Sequence, residues 1–418
     1  MTRFDKSYDV LVAGAGVAGV AAAVASARMG LRTALVEKTV LLGGLATTGL
    51  IDEYTPLCDG RGHMVTRGLA EEMLHLSLRY GPGDVPDGWR PGVSTGPRRR
   101  YMAVFAPAAF VLAMDELLEG AGVDLWLDTL ICLPVVEGRR VVGLEVENKS
   151  GRGVLRGRCI VDATGDADIA CLAGAPCEKG ENWLSYVALE TSLERARKAV
   201  ETGTAGRLVW GTLVGANWAG KGHPDGMPLY SGIDGRQVTD FVLAGRRMLR
   251  QRYVDRQAEF GPDGRKQHYP VTLPAMAQFR ITRRIVGGTT LNDDMQWQHF
   301  DDSLGLVACW LHPGEVWEVP YSALLPQDVT GLIAAGRCIA AAGHAVDVMR
   351  VIHAAAHTGE IAGVAAAVAA KADTTPDALD VAVVRAELEG RGIAHDSREL
   401  PRSSPEETEA PCQPDARH

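Results

Sequence analysis

Metal-binding and redox-active cysteine motifs are missing from this sequence of 418 residues. Its eight cysteines include no CxxC pair and none of the cysteine and histidine spacings that hold zinc or an iron–sulfur cluster. We therefore expect no bound metal. Scattered thiols in a chain of this length are typical of small buried residues in a reducing compartment, which argues against a disulfide framework.

An excess of positive charge is also missing. The 43 Lys and Arg residues stand against 52 Asp and Glu, a net charge of −9, and the only dense basic run is Arg98, Arg99 and Arg100. No global field attracts nucleic acid, so we predict no nucleic-acid partner. With 46% hydrophobic and 23% charged residues the composition is globular, and a chain of this length usually divides into two domains.

A membrane anchor is not expected either. Residues 10–27 form an apolar run, but it contains glycines at positions 14, 16 and 19, and the basic residues ahead of it are offset by acidic ones. Both features argue against a membrane span or a cleavable signal peptide. We predict a cytoplasmic protein with no membrane partner.

The same apolar run begins a βαβ unit. A strand pattern over 8–13 leads into a glycine turn and an alanine-rich helix, and a second strand over 33–36 ends in Glu37-Lys38. This order is the fingerprint of a dinucleotide-binding site, in which the three glycines provide the tight turn, the approach of the pyrophosphate and close helix–strand packing. A carboxylate at Glu37 accepts hydrogen bonds from ribose and repels a 2′-phosphate, so NADP is disfavoured. The fingerprint leaves NAD and FAD open.

Later glycine-rich turns favour the longer cofactor. Residues 42–49 contain Gly43-Gly44 directly after the acidic position, which suits a ligand that extends past adenosine, as FAD does. A strand over 159–161 runs into a turn of small residues over 162–168. Residues 175–274 have weaker periodicity and are predicted to form a substrate or cap domain. The segment from 396 to 418 is polar and is predicted to be a disordered tail.

Together these motifs resemble the FAD-dependent oxidoreductase family with the glutathione-reductase-type fold, which is distantly similar to fumarate reductase flavoproteins. Further shared motifs are the Arg-rich block at 280–287 and the pattern from Gly336-Arg337 to Gly363. The resemblance implies an α/β fold, with a Rossmann-like FAD-binding domain and an inserted α+β substrate domain. The implied boundaries are 5–174 and 275–372 for the FAD-binding domain, with some substrate-domain strands before 330, and 175–274 for the cap.

The fingerprint and the resemblance also imply the cofactor site. The glycines of the first turn would meet the pyrophosphate, Glu37 the ribose, Ile131 the adenine through its backbone, and Thr47 and Thr48 the flavin. The full predicted set is Gly14, Gly16, Val17, Ala18, Gly19, Glu37, Lys38, Gly43, Gly44, Thr47, Thr48, Ile131, Ala163, Thr164, Gly165, Gly336 and Arg337.

Four residues are candidates for catalysis: His353, His344, Arg350 and Tyr321. A helix N-terminus near His353 disfavours an imidazolium, which leaves a neutral ring able to act as base or hydrogen-bond donor; contact with a flavin carbonyl alone is the alternative. Arg350 is suited to a bidentate clamp on a carboxylate, or to a structural pair with Asp347. Tyr321 suits a proton donor or a buried hydrogen bond.

The basic block after residue 279 has two readings as well. Arg280, Arg283 and Arg284 could gather an anionic substrate, or they could form salt bridges at a domain interface. Relatives often carry proline near position 353 and glutamine near 360, where this chain has His353 and Glu360, so no relative's substrate transfers to this chain.

These patterns predict an FAD-dependent oxidoreductase that transfers hydride between a small organic substrate and flavin N5, with dehydrogenation favoured over double-bond reduction. No cysteine pair follows Gly43-Gly44 before Cys58, and no second glycine fingerprint follows a strand. Oxygen, a quinone or a protein is therefore the expected electron acceptor. A non-redox flavin-binding protein and a flavin-free NAD enzyme are the alternatives, and the oligomeric state is left open.

Overall fold

Sixteen strands and nine helices occur in the computed structural model, within the residues that it describes, 4–86 and 100–401. The strands are β1 Asp5–Ala13, β2 Thr33–Val36, β3 Glu53–Tyr54, β4 Ala103–Val104, β5 Asp124–Trp126, β6 Leu130–Glu137, β7 Arg140–Asn148, β8 Gly151–Asp162, β9 Cys177–Lys179, β10 Ser185–Ser192, β11 Trp210–Gly215, β12 His268–Thr272, β13 Arg283–Ile285, β14 Ser303–Ala308, β15 Val316–Pro320 and β16 Leu332–Ala334. The helices are α1 Val17–Arg28, α2 Leu69–Leu78, α3 Pro107–Ala121, α4 Asp168–Leu172, α5 Leu193–Thr202, α6 Gly235–Ala258, α7 Gly343–Met349, α8 Ile352–Lys371 and α9 Val381–Glu389.

The main sheet has seven strands in the order β5-β2-β1-β8-β7-β6, with β16 also paired to β8. Strands β5, β2, β1, β8 and β16 run parallel, whereas β6, β7 and β8 form an antiparallel meander. Residues 10–13 at the carboxyl end of β1 and all of β2 are buried, as expected for parallel strands covered on both faces. This confirms the predicted α/β class and its Rossmann-like sheet.

Helices α1 and α8 cross in close contact on this sheet. A Cβ at Gly359 would lie 2.2 Å from the carbonyl oxygen of Ala18, and one at Gly363 would lie 2.3 Å from that of Ala22. The Ser26 hydroxyl donates to the Gly363 carbonyl at 3.0 Å. The small residues of α1 and α8 thus allow these two helices, which lie far apart in the sequence, to pack closely together.

A second, antiparallel sheet, β11-β10-β12, packs with α6 around a separate apolar core. The sequence did not single out α6, although it has 24 residues. Its buried side is narrow, one residue in each turn or so: Phe241, Ala244, Gly245, Leu249 and Tyr253. The remaining surface mixes many charged residues with exposed apolar ones such as Leu243 and Val254, so the helical period of the sequence was weak.

Residues 275–282 join this cap to the main sheet. The backbone N–H of Ala275 donates to the Thr48 carbonyl at 2.8 Å. The Gln278 side chain donates to the Gly49 carbonyl at 2.5 Å and accepts from the N–H of Val187, in the cap, at 2.8 Å. This segment thus lies against the second glycine loop and the cap sheet at once.

Residues 396–401 correct one expectation. The sequence placed them in a disordered tail, but Ser397 is fully buried and donates through its N–H and its hydroxyl to Glu318 Oε1, each at 2.8 Å. A charged terminus is held here by one buried carboxylate, which composition does not reveal. Residues 402–418 of the predicted tail lie outside the described residues, as do Arg98 and Arg99 of the basic run.

Within the described part of the chain, no single helix is long and apolar enough to cross a membrane. Helices α7 and α8 reach that length and composition only as a pair bent by 81°, and nearly all of α8 is buried in the core. The cysteines in the described ranges form no disulfide bond with one another.

Candidate cofactor and substrate site

The first glycine turn has the three properties that its sequence predicted. Gly14 has a φ of +90°, and a Cβ there would lie 2.8 Å from the Ala163 carbonyl oxygen. A Cβ at Gly19 would lie 1.8 Å from the Gly14 carbonyl oxygen, so this position holds helix and strand together. A Cβ at Gly16 meets nothing within 4 Å. Gly16 also caps α1, whose first-turn N–H groups at Val17 and Ala18 have no intrahelical partner and favour an anion.

Glu37 is buried at the end of β2 and already binds protein groups. Its Oε2 accepts from the N–H of Ala15 at 2.9 Å, and its Oε1 accepts from the N–H and hydroxyl of Thr39 at 2.9 and 3.0 Å. A carboxylate has about four acceptor positions, so one remains for a ribose hydroxyl. The neighbouring Lys38 is exposed. Ile131 lies in β6, next to the turn where the Thr129 N–H donates to the Glu37 carbonyl at 3.0 Å.

The second glycine loop lies directly on the first. The Gly43 N–H donates to the Ala15 carbonyl at 2.7 Å, and a Cβ at Gly44 would lie 3.2 Å from Cα of Gly16. The Thr48 hydroxyl donates to the Gly44 carbonyl at 2.8 Å, and that of Thr47 donates to the Leu42 carbonyl. Both hydroxyl protons are used within the loop, so any bond to the flavin uses the oxygen as an acceptor.

Asp162 organises the turn that contains Ala163, Thr164 and Gly165. Its Oδ1 accepts from the N–H and hydroxyl of Thr164 at 3.1 and 2.6 Å, and its Oδ2 accepts from two N–H groups at the start of α4 at 3.0 Å each. Burial raises the pKa of this carboxyl, and these hydrogen bonds oppose the rise. The sequence predicted no role for Asp162. An Asp followed two residues later by a Thr is nevertheless typical of a turn in which the Asp carboxylate accepts hydrogen bonds from that Thr.

Arg337 joins three segments of the site. Its guanidinium donates to the Gly165 carbonyl at 2.8 Å, to the Asp166 carboxylate at 2.5 Å and to the Phe279 carbonyl. Gly336 has a φ of +74° and lies against α1, where a Cβ would be 2.9 Å from that of Ala18. The predicted residues of four distant segments therefore converge at the carboxyl ends of β1, β2, β8 and β16, where ligands bind in open α/β sheets.

His353 occupies the first turn of α8, as predicted, and is fully buried. Its Nε2 lies 3.1 Å from the Ala308 carbonyl, which only accepts, so Nε2 carries the proton and Nδ1 accepts from the Thr55 hydroxyl at 2.7 Å. Burial, with the charge of Arg100, lowers the pKa of His353 to about 3. The ring is neutral, but both nitrogens already have protein partners.

The other catalytic candidates lie in different surroundings. Arg350 donates to Asp347 Oδ1 at 2.9 and 2.6 Å, so it forms the structural pair that was its alternative reading. The Tyr321 hydroxyl donates to the Pro376 carbonyl at 2.8 Å, and burial raises its pKa, which makes it a poor proton donor. His344 Nε2 faces the Cys309 thiol and the Glu315 carboxylate, and these two groups raise the pKa of His344 to about 10.

The basic block separates into two kinds of residue. Arg283 pairs with Asp168 and Arg284 pairs with Glu178, as expected for interface salt bridges. None of the ion pairs among the described residues includes Arg280. Its guanidinium donates to the Asn217 carbonyl at 2.9 Å and to the Ser185 hydroxyl at 3.1 Å. Burial and the nearby charge of Arg350 lower the pKa of Arg280 to about 10.

A protein-family model described as FAD dependent oxidoreductase matches residues 9–191 and 190–388 of this chain. The chain belongs to this family. It is therefore an FAD-dependent oxidoreductase, as its motifs predicted, and the flavin-free alternative is excluded.

Relatives of this oxidoreductase match over shorter stretches. Digeranylgeranylglycerophospholipid reductase from Picrophilus torridus is 27% identical over 163 residues, 38% of this chain and 40% of that protein. The tRNA-modification enzyme MnmG from Bacteroides thetaiotaomicron is 31% identical over 151 residues, 34% of this chain and 22% of that protein. The match thus spans less than half the length of these relatives. A geranylgeranyl bacteriochlorophyll reductase-like structure from Thermoplasma acidophilum is 14% identical with a TM-score of 0.44, covering 94% of this chain and 86% of the other.

The residues of this FAD-dependent oxidoreductase fit the cofactor on structural grounds. The open space at Gly16 admits a pyrophosphate beside the α1 N-terminus, and Glu37 keeps one acceptor position for the ribose. No side chain extends from Gly14, Gly16, Gly43 or Gly44 where the two glycine loops meet. The site is therefore shaped for a nucleotide that is held by main-chain groups.

Proposed function

We propose that this enzyme oxidises a small organic substrate that carries an anionic group, with Arg280 as the residue that binds the anion. When bound, FAD would supply the hydride acceptor at its N5 atom, and oxygen, a quinone or a protein would take up the electrons. The absence of a second glycine fingerprint in the sequence supports this direction, because a dedicated site for a nicotinamide reductant is not recognisable.

The unpaired charge of Arg280 carries the proposal. A partly buried guanidinium without a carboxylate is costly, because its neutral partners do not balance the charge. Among the described residues its hydrogen-bond acceptors are a carbonyl and a hydroxyl. The nearby cation Arg350 acts on it more strongly than the carboxylate of Asp347, which is already paired with Arg350. A carboxylate or phosphate on the substrate would supply the missing charge and accept two parallel hydrogen bonds.

The position of Arg280 supports the same role. The residue follows Phe279, whose carbonyl binds Arg337, and precedes Thr282, whose hydroxyl donates to Asp166 at 2.5 Å. Its side chain reaches Ser185 and Asn217 in the cap. Arg280 thus lies between the turn that closes the nucleotide site and the cap sheet, where a substrate must enter to reach the cofactor.

His353 has a positioning role in this proposal. Its neutral ring donates to Ala308 and accepts from Thr55, so it fixes the loop after β3 and the end of β14 against the start of α8. With a pKa near 3 it does not change charge between pH 5 and 9. We therefore expect the rate of flavin reduction to depend on pH in the same way in the wild type and in His353→Gln.

The test is anaerobic reduction of the flavin by paired compounds. Small hydroxy acids and amino acids, which carry the carboxylate, are compared with their amides. We expect one of the acids to bleach the flavin and its amide to fail. Arg280→Met should raise the KM for that acid by about 100-fold, the loss of a charge-assisted pair, whereas Arg284→Met, which breaks an exposed pair, should leave it unchanged.

Three results would overturn the proposal. Equal bleaching by acid and amide, or a normal KM in a folded Arg280→Met that retains its flavin, would remove Arg280 from substrate binding. Reoxidation of the chemically reduced enzyme by an unsaturated acid, with no bleaching by any saturated one, would reverse the direction. Arg280→Lys, which keeps the charge, separates loss of binding from loss of the cap contacts.

A further inference from the structure

We propose that Cys309, Glu315 and His344 form a binding site for a divalent transition-metal ion such as Zn²⁺. One ligand atom from each of these side chains lies within 4.8 Å of the other two. Cys309 directly follows β14, Glu315 directly precedes β15, and His344 lies in the first turn of α7. None of the three was predicted to contact the cofactor, and the proposal does not depend on the flavin reaction.

The distances between these atoms are also those that a shared metal ion would give. Cys309 Sγ lies 3.6 Å from His344 Nε2, and Glu315 Oε2 lies 3.7 Å from the same nitrogen. Tetrahedral bonds of about 2.3 Å to sulfur and about 2.0 Å to nitrogen or oxygen place the ligand atoms about 3.3 to 3.6 Å apart. A nitrogen and a carboxylate oxygen 3.7 Å apart are beyond hydrogen-bond distance.

An unsatisfied polar atom points to a ligand at this place. Glu315 Oε2 is buried and accepts no hydrogen bond among the described residues, and its ion pair with His344 Nε2 is long, at 3.7 Å. A buried carboxylate oxygen without a donor costs about 1–3 kcal/mol or more. Cys309 is fully buried beside it. A bound cation would satisfy the carboxylate and the sulfur together.

The backbone holds the three ligands in place before any metal binds. The Cys309 N–H donates to the Glu315 carbonyl at 2.9 Å, which makes these residues cross-strand neighbours at the end of the β14–β15 hairpin. Asp293 accepts from the N–H groups of His344 and Ala345 at 2.6 and 3.2 Å and so fixes the start of α7. The His344 ring also packs edge-on against Trp317. A site of this kind needs little reorganisation to bind.

The ligand types decide the class of ion. A thiolate and an imidazole favour zinc and the softer first-row metals, whereas calcium and magnesium prefer oxygen ligands only. Three protein ligands leave a fourth position for water or for the imidazole of His312, whose ring centroid lies 5.3 Å from that of His344. His344 would then act as a ligand and not as the catalytic residue that the sequence predicted.

A second cluster of possible metal ligands differs from the first, because its carboxylates already have hydrogen-bond donors. His299, Glu318 and Asp396 also approach one another, but their carboxylates are occupied. Glu318 accepts from Phe300 and Ser397, and Asp396 accepts from Arg398. These groups hold the C-terminal segment on β15, and their oxygens are not free for an ion.

The experiment is a zinc titration of the purified, flavin-loaded enzyme after treatment with a chelator. We expect one Zn²⁺ per chain by calorimetry and by elemental analysis, with one sulfur neighbour at about 2.3 Å in the zinc X-ray absorption spectrum. Cys309→Ser and His344→Ala should each weaken binding by about 100-fold or more. Cys132→Ser and His299→Ala, which change a more exposed cysteine and the second cluster, should bind zinc normally.

The proposal fails if the enzyme takes up no stoichiometric zinc, or if folded Cys309→Ser and His344→Ala bind it like the wild type. Circular dichroism reports whether each variant folds. If Cys309→Ser does not fold, Glu315→Gln and His344→Ala decide the question, because both positions are partly exposed and tolerate change better.

Discussion

Buried histidines of α8 show how neighbours set the charge of a residue. The sequence attributed a neutral His353 to the helix N-terminus, but burial is the larger cause and the charge of Arg100 adds to it. His357, one turn later, is also fully buried, and burial lowers its pKa to about 4. The charge state was predictable from position, whereas the partners Thr55 and Ala308 come from distant segments and were not.

His357 provides a prediction at this scale. Both of its ring nitrogens lack hydrogen-bond partners among the described residues, so His357→Leu should raise the free energy of unfolding at pH 7 by about 1 kcal/mol. The native pKa lies below the usual value of 6.5, so the wild type loses stability as the pH falls from 6.5 towards 4. The gain from His357→Leu should therefore grow by about 2 kcal/mol between pH 7 and pH 5.

Urea denaturation at pH 7 and at pH 5 measures the gain in stability from His357→Leu and its change with pH. A variant less stable than the wild type at pH 5 would show that the ring has a partner that this account does not include.

Helices and strands differ in how much of them the sequence revealed. The βαβ unit was predictable because its strands are buried on both faces and its glycines have separate tasks. Helix α6 was not, because only a narrow side of it is buried. The role of Asp162 and the isolation of Arg280 also escaped prediction, because each depends on which groups the fold brings to the residue.

Glu360 provides a prediction for helix α8. It is buried, and Leu69 donates its N–H to Oε2 at 2.6 Å, yet burial raises the pKa of the carboxyl to about 7. The native carboxyl stays protonated where the unfolded one ionises, so its stabilising contribution is present below pH 4.5 and is lost as the pH rises through 7. Glu360→Gln, which cannot ionise, should gain about 3 kcal/mol relative to the wild type between pH 4.5 and pH 8.

Thermal or urea unfolding of the two proteins across this pH range tests the point. A constant difference between them would mean that the carboxyl has an ordinary pKa. Glu145→Gln is the matched control, since that carboxylate lies in an exposed pair with Arg152 and does not act on Glu360.

At the scale of the whole molecule, segments that lie far apart in the sequence meet at one cofactor site, beside the β11-β10-β12 sheet. Segments around residues 14, 43, 163 and 336 meet there, and 275–282 connects them to β10 and β11. The set of motifs predicted this convergence and the family confirms the cofactor. The proposed anion site at Arg280 was one of two readings of the basic block in the sequence, and tertiary contacts set Arg280 apart from Arg283 and Arg284. The proposed metal cluster at Cys309 comes only from tertiary contacts.

The most direct test of this account is the FAD content of the purified protein and of Gly16→Val. A Cβ at Gly16 meets no protein atom within 4 Å, so this variant should fold normally and lose FAD only because the side chain fills the space of the pyrophosphate. Gly120→Val, equally open but on α3, is the control. We expect about one FAD per chain in the wild type and the control, and almost none in a folded Gly16→Val. A colourless wild type, or full flavin in Gly16→Val, would contradict the account.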